Sequence, residues 1–192
     1  MKEMTEVEKL NAGLEYDFTD PAIFEMKKNA VRKCARLNAI DPGDKEKLEA
    51  AIKDLFGSVG KNPSVFPTFH CDCGFNIHAG DNFLANYNVS ILDVGPVNIG
   101  DNVMIGPGTL IASVNHPLSP KGRRENHGIM KPVNIGNDVW IGGNVVIVPG
   151  ITIGNNVVIG AGAVVTKDIP DNSLAVGNPA KVIRTIPDDT KD

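Results

Sequence analysis

The chain is poor in aromatics, in cysteine, in excess positive charge and in long apolar runs, and each shortage removes a class of protein. Aromatic residues make up 5% of its 192 residues, and after residue 75 only Phe83, Tyr87 and Trp140 occur. A core in that region must be built from Ile and Val. The three cysteines, Cys34, Cys71 and Cys73, are too few for a disulfide framework, and Cys71 and Cys73 are closer than the usual metal-knuckle spacing. They are expected to be reduced thiols without chemistry. Lys and Arg number 19 against 23 Asp and Glu, a net charge of −4, which leaves no basic footprint for nucleic acid. No stretch approaches the roughly 18 apolar residues of a membrane span, and the opening MKEMTEVEKL has neither a signal-peptide apolar region nor a lipidation motif. The expected location is the cytoplasm, with no nucleic-acid or membrane partner.

Glycine is plentiful, at 20 residues, and most of it belongs to a six-residue beat in the C-terminal half. Val97, Val103, Thr109, Val133, Val139, Val145, Ile151, Val157 and Ala163 open successive units, and Ile99, Ile105, Ile111, Ile135, Ile141, Ile147, Ile153, Ile159 and Val165 sit two residues on. The closing slot holds Asn102, Gly108, Asp138, Asn144, Gly150, Asn156, Gly162 or Asp168, residue types that tolerate left-handed backbone angles. Short β-branched strands joined by regular corners wind into a parallel β-helix. Three units make a coil of 18, so residues 77–94, 97–114, 133–150 and 151–168 count as four coils, with Gly95 and Pro96 as an insertion.

Residues 115–132 are also 18 in number, but as a coil they would turn Asn115, Lys121, Arg123 and His127 inward. Burying those unpaired charges is prohibitive, so this segment is expected to be a loop thrown out from the helix. Stacking places Gly106, Gly142 and Gly160 in a column under Asn86, a small-residue corner open to a ligand or a partner chain. Residues 1–60 carry a helical signal instead. Asp20 and Pro21 form an N-cap and first-turn pair ahead of Ile23, Met26, Ala30, Cys34 and Leu37, and a second helix starts at Asp44 and stops at Gly57. The expected division is a helical cap, 1–60, followed by the β-helix, 61–187.

The stretches LNAGLEYD, CDCGFNIHAGDNFLANYN, LDVGPVNIGDNVMIGPG, VNHPL, KPVNIGNDVWIGGNVVIVPGITIGNNVVIGAGAVVTKDIP and AVGNPAKVIR cover nearly the whole chain. Together they resemble the sugar O-acetyltransferase branch of the hexapeptide-repeat acyltransferases, the maltose and galactoside acetyltransferase type. The resemblance implies a mainly β fold, a left-handed parallel β-helix with an N-terminal helical segment and an extruded loop. It also implies acetyl-CoA as co-substrate, no metal, and homotrimers with sites between neighbouring subunits. The chain departs from the family pattern at Cys73, where an aromatic is common, and at His127, where an acidic residue is usual.

Transfer of acetyl from a thioester to a sugar hydroxyl needs a base and a donor for the developing oxyanion. His116, in the family's HisPro position, is the candidate base; from the residues alone it also reads as a solvated loop histidine. Asn86 is implied by the resemblance as a ligand of the sugar or the tetrahedral intermediate, while Asn88 occupies the corner slot. Asp72 and Asp93 resemble polar positions that hydrogen-bond the sugar, and either also reads as a local cap. Of the two acidic residues near the N-terminal substrate contact, Asp17 is favoured, because Asp20 is already explained as an N-cap. Trp140 should point outward, toward the acceptor site by resemblance or toward a neighbouring subunit. Gly142, Gly143, Gly160 and Ala161 match the acetyl-CoA groove, and Thr166, Lys167, Lys181 and Arg184 match its phosphate end.

The expected activity is therefore acetylation of a maltose-, glucose- or galactoside-type hydroxyl by direct attack. A non-sugar acceptor such as serine and a non-catalytic scaffold stay open at this point. A zinc enzyme on the same fold would need three converging imidazoles, and His70, His78, His116 and His127 lack that family's spacing.

Overall fold

The structure, a computed structural model, describes residues 3–187. Helix α1 (Glu6–Asn11), absent from the sequence reading, is nucleated by a capping box: the Glu8 amide donates to Thr5 Oγ1 at 3.2 Å and the Thr5 amide donates to Glu8 Oε2 at 2.7 Å. Helix α2 (Pro21–Asn38) begins where Asp20 accepts from the Ala22 amide at 2.8 Å, and it buries Ile23, Ala30, Cys34 and Leu37. Helix α3 (Lys45–Leu55) is capped by Asp44 and buries Ile52 and Leu55. Both follow the expected apolar spacing.

The remainder is a β-helix of three parallel sheets. The first sheet stacks Ser58–Val59, Ile77–Ala79, Val97–Ile99, Val133–Ile135 and Thr152–Ile153. The second stacks Ser64–Val65, Leu84–Ala85, Met104–Ile105, Val139–Ile141, Val157–Ile159 and Ser173–Val176, with Lys181–Thr185 added antiparallel at the end. His70–Cys71, Ser90–Leu92, Leu110–Ala112, Val146–Ile147 and Val164–Val165 make the third. Along the parallel strands burial alternates, so the Val and Ile of the beat fill the interior. Thr109, the polar member, is fully buried and donates its hydroxyl to the Gly142 carbonyl at 2.9 Å.

One coil begins before the expected start: Ser58 pairs with His78, Ser64 with Leu84 and His70 with Ser90. The boundary at residue 60 thus falls inside a coil. Phe56, Phe69 and Phe83 meet ring to ring there, at centroid distances of 5.7 and 5.9 Å, and they join the helices to the solenoid in one continuous core. Most corners behave as read. Asn102, Asp138, Asn144 and Asn156 have positive φ, as do Gly108, Gly150 and Gly162. Asp168 does not share that conformation; the final coil is short, with Ile153 bridging Ile169, and Asp168 instead accepts from the Thr152 amide at 2.8 Å.

Val133 pairs directly with Val97, so residues between those coils leave the solenoid, as expected. They are more ordered than a loop. Val114–Asn115 runs antiparallel to His127–Met130, with helix α4 (Pro120–Arg124) between, and His127–Met130 also pairs with Tyr16–Asp17 from the N-terminal segment. At the point of departure buried Ser113 accepts from the Gly95 amide at 2.9 Å and reaches the Leu92 and Gly95 carbonyls.

Asp93, expected to bind sugar, is instead a fully buried clamp between coils. Its carboxylate accepts from the amides of Asp72, Cys73 and Asn76 at 3.0, 2.8 and 3.3 Å, which leaves it no exposed face for a ligand. Burial pushes its carboxyl up to about 7, against the pull of those amides. Asp93→Ala would strand three backbone donors, that of Cys73 buried and those of Asp72 and Asn76 partly so, and should cost about 3 kcal/mol in chemical unfolding. Because the native carboxyl holds its proton above the unfolded value of about 4, its protonated form stabilises fully below that pH, and this contribution is lost as pH rises through about 7. A thermal midpoint that falls across this window, less steeply in Asp93→Asn, is the expected pattern.

The glycine column exists, for a different reason from the open corner expected. Asn86, Gly106 and Gly142 donate their amides to Ile105, Ile141 and Ile159 at 2.9, 2.7 and 2.8 Å, and Gly160 donates to Ala175 at 2.8 Å. A Cβ on Gly106 would lie 2.5 Å from the Gly143 nitrogen, and one on Gly142 would lie 2.6 Å from the Ala161 nitrogen. Close stacking of backbone on backbone already requires glycine there. Gly142→Ala should lower stability by about 2 kcal/mol, measured by denaturant titration.

Candidate active site

The coils sort the candidate residues onto two edges of a triangular prism. Between the second and third sheets lie Asn86, Gly142, Gly143, Gly160 and Ala161. Asn86 Oδ1 accepts from the Tyr87 amide at 2.7 Å, and its side-chain Nδ2 makes no hydrogen bond among the described residues. That nitrogen is a free donor. The corner conformation belongs to Asn88, at φ 59°, so Asn86 is not explained as a turn residue. Beside this edge, Tyr87, Met104 and Trp140 are each about half exposed at 52%, 49% and 53%. Trp140 points outward as the alternation requires, directly opposite Met104 in the next coil. At the far end of the column Lys181 pairs with Val176 and Arg184 with Leu174, both exposed.

The edge between the third and first sheets carries Asp72, buried Asp93, the extruded hairpin and, beyond it, exposed Thr166 and Lys167. The four residues expected at one phosphate end are therefore divided, Lys181 and Arg184 on the second sheet and Thr166 and Lys167 at the following corner.

His116 is exposed at the base of the hairpin, and its Nδ1 lies 3.0 Å from the His127 carbonyl. A carbonyl only accepts, so Nδ1 carries the proton in the neutral ring and Nε2 keeps its lone pair. The ring meets Phe18 edge to face, with centroids 5.3 Å apart and planes at 75°. Asp17 stands opposite His127 in the antiparallel pair. Its Oδ1 accepts from the Thr19 amide at 2.8 Å and hydroxyl at 2.6 Å, bonds that hold the carboxyl below its ordinary range, with His127 adding to the effect. The Asp20 carboxylate is engaged in capping α2. His127 Nδ1 lies 3.3 Å from Glu15 Oε2. Asp72, partly exposed, faces Lys27 Nζ at 3.6 Å.

Among the described residues no hydrogen bond or ring contact joins His116 to Asn86. Glu15, Phe18 and Lys27 were missed by sequence reasoning. Glu15 and Phe18 flank the short N-terminal strand, whose pairing with the hairpin has no periodic signal, and Lys27 lies on α2. Cys71 and Cys73 are poor nucleophiles. Cys34 and Cys71 sit with their sulfurs 3.4 Å apart in the core, the contact with Cys34 together with burial pushes Cys71 up, and burial pushes Cys73 up to about 12. No group of three His, Cys, Asp or Glu side chains that could hold a metal occurs among the described residues, and none of their helices is long and apolar enough to cross a membrane.

This arrangement has close relatives. The bacterial transferase hexapeptide family (six repeats) matches residues 132–167, and the maltose acetyltransferase hexapeptide capping motif matches residues 9–60. Galactoside O-acetyltransferase of Escherichia coli K12 is 45% identical over 154 residues, which cover 80% of this chain and 76% of that one. A maltose O-acetyltransferase from Clostridium difficile 630 superposes with a TM-score of 0.94 at 46% identity, over 97% of this chain and all of the other. A galactoside acetyltransferase in complex with coenzyme A superposes with a TM-score of 0.92 at 42% identity, covering 98% and 94%. With a capping motif at one end, hexapeptide repeats at the other and such relatives along most of its length, the chain belongs to the hexapeptide-repeat acetyltransferases of the maltose and galactoside O-acetyltransferase type.

Proposed function

We propose that the protein transfers acetyl from acetyl-CoA to a hydroxyl of a maltose-, glucose- or galactoside-type sugar, by direct attack and without an acetyl-enzyme. The observation that carries this reading is the state of His116: Nδ1 is engaged by the His127 carbonyl, and Nε2 is left as a base at an exposed position, on the hairpin whose His127 pairs with Asp17. His116 Nε2 takes the proton of the sugar hydroxyl as its oxygen attacks the thioester carbonyl carbon. The unpartnered Asn86 Nδ2 donates to the tetrahedral oxyanion. When the carbon–sulfur bond breaks, the imidazolium returns its proton to the leaving thiolate of coenzyme A. Asp17 and Asp72 orient sugar hydroxyls, and Trp140 walls the acceptor side. The corner of Gly142, Gly143, Gly160 and Ala161 offers close backbone to the pantetheine arm, with Lys181, Arg184, Thr166 and Lys167 toward the phosphates. The named activities of the relatives and the coenzyme A complex support the same chemistry.

His116 and Asn86 lie on different edges, so we assign the complete site to two neighbouring copies in a homotrimer, one supplying the hairpin edge and the other the Asn86 edge. Exposed Tyr87, Met104 and Trp140 on the second edge are apolar surface suited to that contact.

His116→Ala should reduce turnover about 10²- to 10⁴-fold while acetyl-CoA affinity is nearly unchanged. A thiol-release assay with glucose, maltose, galactosides and serine checks this, and acetylation of serine alone would overturn the sugar acceptor. Mixing His116→Ala and Asn86→Ala chains after dissociation should restore roughly a quarter of wild-type activity, because a mixed three-fold ring regains one intact site out of three. No recovery, despite mixed trimers seen by native mass spectrometry, would place both residues in a single-chain site.

A further inference from the structure

His116 is exposed on a hairpin, yet the proposed reaction asks it to present one nitrogen in one direction. Its hydrogen bond to the His127 carbonyl fixes one point of the ring and leaves the plane free to swing about that point. Turning χ2 by half a turn would break the bond and set a carbon against the carbonyl. Something else must hold the plane, and the aromatic ring that meets His116 is Phe18, 5.3 Å away at 75°.

Phe18 is itself fixed on two sides. Its amide donates to the Asn126 carbonyl at 3.0 Å, one residue past the Asp17–His127 pair. Its side chain packs on the satellite core of Leu10, Tyr16, Ile23 and Val94. The Tyr16–Asp17 strand that leads into Phe18 is therefore laddered to the strand whose His127 carbonyl accepts the hydrogen bond of His116 Nδ1. The tautomer-setting acceptor on the hairpin and the plane-setting ring from the N-terminal segment are thereby tied together by backbone hydrogen bonds.

We propose that Phe18 is a positioning residue for the base, holding the His116 imidazole in the plane that keeps Nδ1–H on the His127 carbonyl and Nε2 toward the acceptor. The N-terminal segment then belongs to the catalytic apparatus and is not only a lid on the solenoid. This rests on His116 being the base, and the His116→Ala measurement tests that separately.

The experiment compares Phe18→Ala, Phe18→Leu and Phe18→Tyr in the full-length protein. Phe18→Ala should lower kcat about 10- to 100-fold with the KM for acetyl-CoA unchanged, the scale of loss when a reacting group is misplaced by about an ångström. Phe18→Leu keeps apolar bulk in the satellite core but not the ring, so it should fold like the wild type and still lose about 10-fold in kcat. Phe18→Tyr should recover most of the rate. Nitrogen-15 chemical shifts of His116, read independently of turnover, should report a single Nδ1–H tautomer in the wild type and a mixture in the Ala and Leu variants. If both variants keep the wild-type tautomer and kcat while His116→Ala is inactive, Phe18 is a packing residue and the proposal fails. Loss of rate in Phe18→Leu with an unchanged tautomer would equally overturn it.

Discussion

Everything in this molecule depends on the vertical register between coils, in which the amide of one turn meets the carbonyl of the next at ordinary strand spacing. Once Ile77 is set over Val97 and Val97 over Val133, every other position along those coils has a fixed neighbour above and below. Corners are then forced to stack as well. Asn62, Asn82, Asn102 and Asp138 do so through side-chain hydrogen bonds of 3.1, 2.8 and 2.9 Å, and the glycine column does so by having no side chain at all. Register also decides which substitutions are tolerated. A group added at a corner is felt by the next coil before it is felt by solvent.

The same constraint explains how the segment 115–132 can leave without disturbing the coils beyond it. Val133 resumes on Val97 as though nothing had intervened, and buried Ser113 together with the Asp93 clamp closes the gap on the preceding coils. The excursion cannot pair with the solenoid sheets, whose strands already have partners. It finds its ladder with Tyr16–Asp17, and this brings the N-terminal segment of the chain beside His116.

The distinction between local and non-local order also decides how much of the molecule is legible in its sequence. The beat from Val97 to Val165 was legible because each unit carries its own corner residue and its own inward pair. The coil from Ser58 to Cys71 was not, since Phe66, Phe69 and His70 interrupt the Val and Ile pattern where the solenoid meets the helices. Asp168 has the residue type of a corner although the final coil is short, and nothing in LDVG distinguishes a buried clamp from a sugar contact at Asp93. His116 was visible through the break in the beat. Its surroundings were not, because a two-residue strand at Tyr16–Asp17, pairing more than a hundred residues away, leaves no periodic trace.

A rigid prism presents its residues along separate edges and cannot fold one edge onto another. Asn86, Trp140 and the glycine corner are locked to one edge by hydrogen bonds in both neighbouring coils, and Asp72 and the base of the hairpin are locked to another. A transfer reaction, however, must bring a base, an oxyanion donor and two substrates within a few ångströms. Only two routes meet that demand on this scaffold: a segment that departs from the prism, or a second prism laid against the first. The proposed site uses both. The hairpin carries the base away from its own coil, and a neighbouring copy's opposite edge supplies what the hairpin cannot reach. The solenoid's stiffness, which fixes each residue on its edge, is thus the physical reason that catalysis here is assigned to an interruption and an interface.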